Sequence, residues 1–249
     1  MAGRAVPLLL SLPVDARSLG EARNALAAWL ARSGVGDEQV DDVLIATNEA
    51  CMNAVEHSGA PEDTKIELSA SLDGPSLAID VKDHGSWHEP VPTGDRGHGL
   101  GLMRALMDLV EIDRAADGTR VRMERTVTFG PSADRRATPA SVALAEVEGA
   151  CVATLAGDVD LAVVDRIGAE LDGAAGSSVP ALVVDLSGVT YLDSAGVHLL
   201  FKLAHRRHAA GGATRLAVAD GPVRRVLELT GVEAALAMDA SVDEAIARL

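Results

Sequence analysis

The stretch Glu49-Ala-Cys-Met-Asn53 is the part of the sequence around which the first half of the chain is organised. Residues four apart lie on one face of a helix, so a helix here would place the Glu49 carboxylate one turn from the Asn53 amide. A carboxylate can accept a proton, and an amide oxygen can bind a hard cation such as Mg²⁺. Taken alone, Glu and Asn at this spacing are more typical of a solvated helix face, so the surrounding segments must decide between the two interpretations.

The apolar pattern on both sides of this stretch predicts a mixture of helices and strands. In chain order, the predicted elements of the first half are a strand at 6–14, helices at 18–33 and 37–57, strands at 64–72 and 76–82, a helix that follows Gly97–Met103 and ends near 110, and a last strand at 118–125. Glu49 and Asn53 fall outside the apolar stripe of the second helix, so we expect them to face a neighbouring site.

The pattern is lost between Thr126 and Ser141, where glycine, proline and charged residues predict a linker at 128–140. After it, the predicted elements are a hairpin with strands at 141–148 and 151–156, a helix at 163–175, a buried strand at 181–186, a helix that ends near 210, a strand at 214–219, a helix at 221–229 and a last helix from 241. The sequence therefore predicts two α/β domains, 1–127 and 141–249.

The composition argues against several classes of function. A net charge of −15 over 249 residues would be repelled by a duplex phosphate backbone, and aromatic residues, at 2%, are too few to stack the bases of a single strand. No apolar run approaches the roughly 20 residues that span a bilayer, and the two cysteines lack disulfide or metal-ligand spacing. We therefore expect a cytoplasmic protein that binds neither nucleic acid nor membrane. Any phosphate ligand would be held by backbone amides, a helix N-terminus and a metal ion.

Two further segments of the first half could meet Glu49 and Asn53 at one nucleotide. Asp83 ends a predicted strand and is followed by Gly85, so its carboxylate could accept from an exocyclic amine while the glycine lets a base approach the backbone. The loop Gly97-His-Gly99-Leu100-Gly101 opens a helix whose free amides and positive dipole end would face phosphates. Each segment has an ordinary alternative, because Asp-x-Gly is a common turn and glycine-rich loops often bind nothing.

In this order, the segments of residues 8–125 resemble the ATP-binding fold shared by gyrase-type ATPases, Hsp90 and histidine kinases, in the small form found in bacterial anti-sigma-factor serine kinases. The similar segments are Glu49–Asn53 for that family's N-box, Asp83–Gly85 for its adenine-binding box, Gly97–Leu102 for its phosphate-loop box and Gly118-Thr119 for its short last box. The resemblance implies a two-layer α/β sandwich with its helices on one face of a mixed sheet.

The same resemblance implies ATP and Mg²⁺ as cofactors. It makes Glu49 the general base, Asn53 the Mg²⁺ ligand and Asp83, with Gly85, the group that recognises adenine. It implies that the phosphates are bound by Gly97, Gly99, Leu100 and Gly101. It also places Thr119 near the adenine and the phosphates.

In the second half, Asp193-Ser194-Ala195-Gly196 lies at a predicted strand-to-helix turn. Asp193 suits the N-cap position, and Ser194 falls in the first helical turn, where the helix dipole would stabilise a phosphate on its hydroxyl. The ordinary alternative is capping alone, which is a very common use of Asp-Ser before a helix.

Residues 141–249 resemble the STAS domain of anti-sigma-factor antagonists. The similar segments are 155–160, 185–188 and 191–196. The resemblance implies a STAS-type α/β domain in which Ser194, flanked by Asp193, is the phosphoacceptor.

Together the two resemblances imply a partner-switching regulator of transcription, in which an ATP-dependent serine kinase and anti-sigma factor is fused to its own type of substrate. The expected partners are a sigma factor and separate anti-sigma or antagonist proteins, and dimers are usual in the resembled kinases. If residues 126–141 are flexible, they would favour docking of the two domains within one molecule. The competing hypotheses are a non-catalytic scaffold, with or without bound ATP, and a metabolic ATPase, for which the sequence shows no second substrate pocket.

Overall fold

The computed structural model describes residues 5–57, 64–85, 98–115, 118–131, 137–174 and 181–249. The chain divides into two compact units, Met1–Ala137 and Thr138–Leu249. Each unit is built on its own five-stranded sheet. Within the described residues, no helix is both long enough and apolar enough to cross a membrane.

The first unit packs helices against an antiparallel sheet. Its elements are β1 (Leu8–Pro13), α1 (Ala16–Arg32), α2 (Asp37–His57), β2 (Lys65–Asp73), β3 (Ser76–Lys82), α3 (His98–Leu106), β4 (Leu109–Ala115) and β5 (Gly118–Thr126). The strand order is β1-β2-β3-β5-β4, and every neighbouring pair is antiparallel. The α/β class is confirmed, but the predicted mixed sheet is wrong. β4 does run in the direction of β3, but β5 lies between them and pairs antiparallel with both.

The helices cover one face of this sheet. Along β2, Ile66, Leu68 and Ala70 are buried, while the intervening residues Glu67 and Ser69 are exposed or half-buried. Successive side chains of a strand point to opposite faces, so burial of one set means that one face is covered. The helices contribute to this core the buried residues Leu26, Leu30, Val43 and Ala46.

Two elements of the first unit differ from the sequence prediction, because α3 is shorter than expected and the strand β4 was not predicted. The helix expected to end near 110 ends at Leu106, and β4 begins at Leu109. Along β4, Val110 and Ile112 are half-buried and their neighbours are exposed, which is the period of a strand. Asp108 stabilises the break between the two elements, because its carboxylate accepts the Thr126 N–H at 2.6 Å.

The second unit is an α/β domain whose central strand is covered on both faces. Its elements are β6 (Ser141–Val147), β7 (Ala150–Val159), α4 (Val164–Ala174), β8 (Ala181–Leu192), α5 (Ser194–Ala209), β9 (Ala213–Ala217), α6 (Pro222–Leu229), a short 3₁₀ helix (Val232–Ala234), β10 (Ala237–Asp239) and α7 (Val242–Ala247). The strand order is β10-β9-β8-β7-β6, with β6 antiparallel to β7 and the other pairs parallel. Leu182, Val183 and Val184 of β8 are all buried, as the continuous apolar run predicted.

A buried ion-pair cluster fixes β10, a strand that the sequence analysis did not predict. The Asp239 side chain is 0% exposed and lies 2.7 Å from Nε of Arg215 and 2.6 Å from Nη1 of Arg248. Arg215 belongs to β9 and Arg248 follows α7, so one carboxylate of β10 links this strand to both of them. The hydrogen bond from Arg215 is the main cause that lowers the pKa of Asp239 below its ordinary value.

Part of the predicted linker is hydrogen-bonded structure. In the first unit, the Gly36 N–H donates to the carbonyl oxygen of Thr128 at 3.0 Å. In the second unit, the Asp158 N–H donates to the carbonyl oxygen of Thr138 at 2.8 Å. The condition that residues 126–141 are flexible over their whole length is therefore not met at Thr128 and Thr138.

Candidate functional site

Helix α2 holds Glu49 and Asn53 one turn apart, but not on a solvated face. Glu49 is 0% exposed and Asn53 is half-buried. The two residues before Glu49, Thr47 and Asn48, are buried as well. A carboxylate is rarely buried without polar or charged surroundings that compensate the loss of water. The burial of Glu49 therefore excludes the solvated-face interpretation.

Helix α3 begins directly against Glu49. A Cβ atom added at Gly99 would lie 2.5 Å from Oε2 of Glu49, a separation that real Cβ atoms essentially never show. Only glycine fits here without a shift of its neighbours. The first turn of α3, whose N–H groups have no acceptor within the helix, is thereby brought to the carboxylate with its positive dipole end.

The other residues of the predicted phosphate loop differ in their surroundings. A Cβ atom added at Gly101 would meet nothing within 4 Å, so packing does not require glycine at that position. Leu100 is half-buried in the first turn of α3. Gly97 lies outside the described residues.

Asp83, at the end of β3, forms the third part of the site. It is 6% exposed, and its Oδ1 accepts the N–H groups of Gly85 at 3.0 Å and Thr119 at 3.3 Å. From the described part of the chain, its other oxygen, Oδ2, receives no hydrogen bond. The carboxylate is thus oriented by two backbone groups and keeps one oxygen that could accept from a ligand.

Gly118 allows β5 to begin this close to Asp83. Its φ is +140°, in the region that favours glycine, and an added Cβ would overlap the carbonyl oxygen of Asp83. The adjoining Thr119 is 5% exposed and accepts the Asp83 N–H at 3.0 Å. From the sequence, Gly118 was expected at the site only as the neighbour of Thr119. A glycine at the first position of a strand often marks a close approach of two backbones, and this signal could have identified Gly118.

Asn53 fits a magnesium ion only if a bound molecule supplies further ligands. Among the described residues, no group of three His, Cys, Asp or Glu side chains is placed to hold a metal ion. Mg²⁺ commonly takes one or two protein ligands and fills its shell with phosphate oxygens and water. A half-buried amide one turn from Glu49 suits that arrangement.

Cys51, which lies between Glu49 and Asn53, is a core thiol. It is buried, and desolvation raises its pKa to about 12. The thiol is therefore protonated at neutral pH and unsuited to act as a nucleophile.

The second unit carries Ser194 as the first residue of α5, next to a fully buried Asp193. Asp193 uses both carboxylate oxygens on backbone groups, since Oδ1 accepts the Gly196 N–H at 3.0 Å and Oδ2 accepts the Leu161 N–H at 3.1 Å. It is the predicted N-cap, and it also ties the turn after β7 to α5. Ser194 is half-buried. It therefore reaches the surface at a helix end that Asp193 holds in place.

Family comparisons assign each unit. Residues 12–125 match the histidine kinase-like ATPase domain, and residues 141–245 match the STAS domain. The serine-protein kinase RsbW of Bacillus subtilis is 29% identical over 134 residues, covering 47% of this chain and 82% of that kinase. The anti-sigma F factor of Clostridium botulinum is 29% identical over 119 residues, covering 42% of this chain and 82% of that protein. An anti-sigma factor antagonist from Mycobacterium paratuberculosis, known as a crystal structure, matches with 23% identity and a TM-score of 0.42, covering 44% of this chain and 93% of that one.

The fold and the site thus define a two-domain protein with an ATPase-type α/β sandwich followed by a STAS domain. Within that class, the first unit is a histidine kinase-like ATPase domain, similar to serine-protein kinases and anti-sigma factors, and the second is a STAS domain. Both resemblances drawn from the sequence are confirmed at the level of the family.

Proposed function

We propose that the chain is a partner-switching regulator in which the first unit is an ATP-dependent serine kinase and anti-sigma factor, and the second unit is its type of substrate. The observation that carries the proposal is the approach of α3 to Glu49, where an added Cβ on Gly99 would come to 2.5 Å from the carboxylate. It sets a buried acid beside a helix N-terminus suited to phosphates. The similarity to the serine-protein kinase RsbW supports the same activity.

In the proposed transfer, the residues of the chain position the reactants and move one proton. The acceptor is the hydroxyl of Ser194, or the corresponding serine of a separate antagonist. Its oxygen forms a bond to the γ-phosphorus of ATP while the bond from that phosphorus to the ADP oxygen breaks. Glu49 orients the hydroxyl and accepts its proton. The N–H groups of Gly97, Gly99, Leu100 and Gly101 are the proposed phosphate contacts.

Asn53 and Asp83 are proposed to bind the two ends of the nucleotide. The Asn53 amide oxygen would ligate Mg²⁺, which when bound neutralises charge on the phosphates. Oδ2 of Asp83 would accept from the exocyclic amine of adenine, while Gly85 would leave room for the ring and Thr119 would lie beside it. Asp83 suits this role because its Oδ1 is already held by two backbone N–H groups.

Phosphate on Ser194 is proposed to change the docking surface of the second unit rather than its fold. The first turn of α5 is capped by Asp193, and the helix dipole favours an anion at this end. The modification would add a charge of roughly −2 to that surface.

The partners follow from this charge change. The first unit would hold a sigma factor and release it when an unphosphorylated antagonist, either the second unit or a separate protein, docks in its place. We include homodimerisation, docking of the two units within one molecule and a cytoplasmic location in the proposal. Direct contact with nucleic acid or with a membrane is not part of it.

The competing function is a scaffold that acts only by protein contact. The observation in its favour is that Glu49 is 0% exposed, so a base at this position needs movement of its surroundings before it can reach a hydroxyl. A scaffold would bind its partners with the same affinity whether or not phosphate can be transferred.

Intact-mass measurement with Mg-ATP separates the two functions. The wild-type chain should gain one phosphoryl group, whereas Glu49→Gln and Ser194→Ala should gain none. Absence of the gain in wild type, also with a separate antagonist protein supplied, would favour the scaffold. Repeating the wild-type reaction over a dilution series shows the route, because a rate per molecule that falls on dilution excludes transfer within one chain.

A further inference from the structure

A second attachment fixes the opposite end of α3. Arg125 of β5 donates from Nη1 to the carbonyl oxygen of Leu106, the last residue of α3, and from Nη2 to Oδ2 of Asp42 on α2 at 2.8 Å. The side chains of Asp42 and Arg125 are 5% and 16% exposed. This ion pair is therefore shielded from water, and loss of one partner costs more than loss of an exposed pair would.

The two attachments of α3 match in spacing. Asp42 and Glu49 lie seven residues apart on α2, both buried. Gly99 and Leu106 lie seven residues apart on α3. Seven residues make nearly two helical turns, so each pair lies on one face of its helix with an axial spacing of about 10 Å. Gly99 meets Glu49 at one end, and Arg125 links Leu106 to Asp42 at the other.

We propose that Arg125 is a positioning residue for the nucleotide site, because it holds the C-terminal end of α3 on Asp42 and so sets where the first turn of α3 meets Glu49. The inference rests on the proposed function, since that first turn is the proposed phosphate contact. A helix attached at one end can pivot about that contact. The attachment through Arg125 acts on the helix itself, in addition to the hydrogen bond of Asp108 just beyond the helix, and so restricts the pivot. Arg125 itself need not touch the nucleotide.

The guanidinium group is suited to this role. Its donors point in fixed directions, so one side chain can bind a carbonyl oxygen and a carboxylate at the same time. A lysine would keep the charge but replace the planar fork by a single ammonium on a flexible stem. Arg125→Lys should therefore keep the C-terminal end of α3 attached to Asp42 only in part.

Arg120 provides a matched control on the same strand. Its Nε lies 2.7 Å from Oδ1 of Asp80, and its side chain is 53% exposed. Arg120→Gln removes the same charge from β5 as Arg125→Gln, but it leaves the link between Leu106 and Asp42 intact.

Hydrogen exchange of the full chain tests the proposal without relying on activity. In Arg125→Gln, the amides of 99–106 should exchange about tenfold faster than in wild type, while the buried amides of β2 and β3 keep their wild-type rates. Arg125→Lys should fall between these values, and Arg120→Gln should match wild type. Equal exchange of 99–106 in Arg125→Gln and wild type, or the same increase in Arg120→Gln, would overturn the proposal. If Arg125→Gln unfolds as a whole, the exchange rates of 99–106 in Arg125→Lys are compared with those in wild type and Arg120→Gln instead. Equal rates in Arg125→Lys and wild type would then overturn the proposal.

A second arm adds Mg-ATP. Its apparent dissociation constant should rise about tenfold in Arg125→Gln and stay within about twofold of wild type in Arg120→Gln. An unchanged constant in Arg125→Gln would contradict a role in the nucleotide site. If Mg-ATP fails to protect 99–106 even in wild type, the proposed function fails, and the exchange difference between the two arginine variants still decides whether Arg125 positions α3.

Discussion

A Cβ atom added to Gly99 would lie 2.5 Å from Oε2 of Glu49. The start of α3 therefore rests on a fully buried carboxylate. The proposed base thus lies against Gly99 of the proposed phosphate loop, and a side chain at position 99 would force one of the two to shift.

Gly99→Ala should weaken Mg-ATP binding at least tenfold, because the added methyl group forces either Glu49 or the first turn of α3 to move. Gly20→Ala in α1 is the matched control, since its Cβ would meet nothing within 4 Å. That control should bind as wild type does and gain about 0.5–1 kcal/mol of stability from the better helix former. Calorimetric titration of both variants measures the affinity for Mg-ATP, and thermal unfolding measures their stability. Wild-type affinity in Gly99→Ala would show that the contact is unimportant for the nucleotide.

Asp83→Asn should lower the affinity for Mg-ATP about tenfold or more while leaving the fold intact. The amide oxygen can still accept from the N–H groups of Gly85 and Thr119. An NH₂ group would replace Oδ2, however, and it would face the exocyclic amine of adenine, so that two donors would oppose each other and no hydrogen bond would form. Asp80→Asn is the control, because Asp80 lies on the same strand and pairs with Arg120 at 2.7 Å. Competition between ATP and GTP tests whether Asp83 recognises adenine. An Asp83→Asn chain with unchanged preference for ATP would contradict it.

Asp239→Asn should destabilise the second unit by about 3 kcal/mol, because it leaves the half-buried Arg215 without its carboxylate. The pKa of Asp239 is lowered in the folded state, chiefly by the hydrogen bond from Arg215. Its contribution is therefore complete above the unfolded pKa, about 3.9, and is lost as the pH falls through the lower folded value. Chemical unfolding of wild type and variant from pH 7 to pH 2 should show a difference that shrinks in acid. Asp172→Asn, which breaks an exposed pair with Arg206, should change stability by no more than about 0.5 kcal/mol.

Asp193→Ala and Ser194→Ala should have different effects on the folded state. Asp193→Ala removes the acceptors of two backbone N–H groups and should cost about 1–2 kcal/mol. Ser194→Ala should remain within about 0.5 kcal/mol of wild type, because the cap is untouched. Thermal unfolding of the two variants checks this. An equal loss in Ser194→Ala would indicate that the serine is a structural residue and would weaken its assignment as the phosphoacceptor.

The sequence predicted what depends on local pattern and on residues close in the chain. The helix that carries Glu49 and Asn53, the hairpin of β2 and β3 and the cap formed by Asp193 all have signals within a few residues. The position of β5 between β3 and β4 has no such signal, because it depends on the pairing of strands that are far apart in the chain. The strand β4 was missed because its apolar residues, Val110 and Ile112, continue the apolar run of α3.

The parts of the candidate site that the sequence did not reveal are also contacts over a long separation. Arg125 and Asp42 are 83 residues apart in the chain, and neither belongs to a recognised motif. The burial of Glu49 could not be predicted either, because its position outside the apolar stripe indicated a polar neighbourhood without saying that α3 would close it off.

Phosphorylation of Ser194 is tested most directly by quantitative mass spectrometry of the peptide that contains this residue, after the full chain has been incubated with Mg-ATP. We expect phosphate on Ser194 in the wild-type chain, at least a hundredfold less in Glu49→Gln and Asn53→Ala, and a normal level in the exposed-face control Arg120→Gln. Equal phosphate on Ser194 in wild type and Glu49→Gln, or none in wild type while Mg-ATP binds, would contradict the claim that the first unit is a kinase acting on this serine.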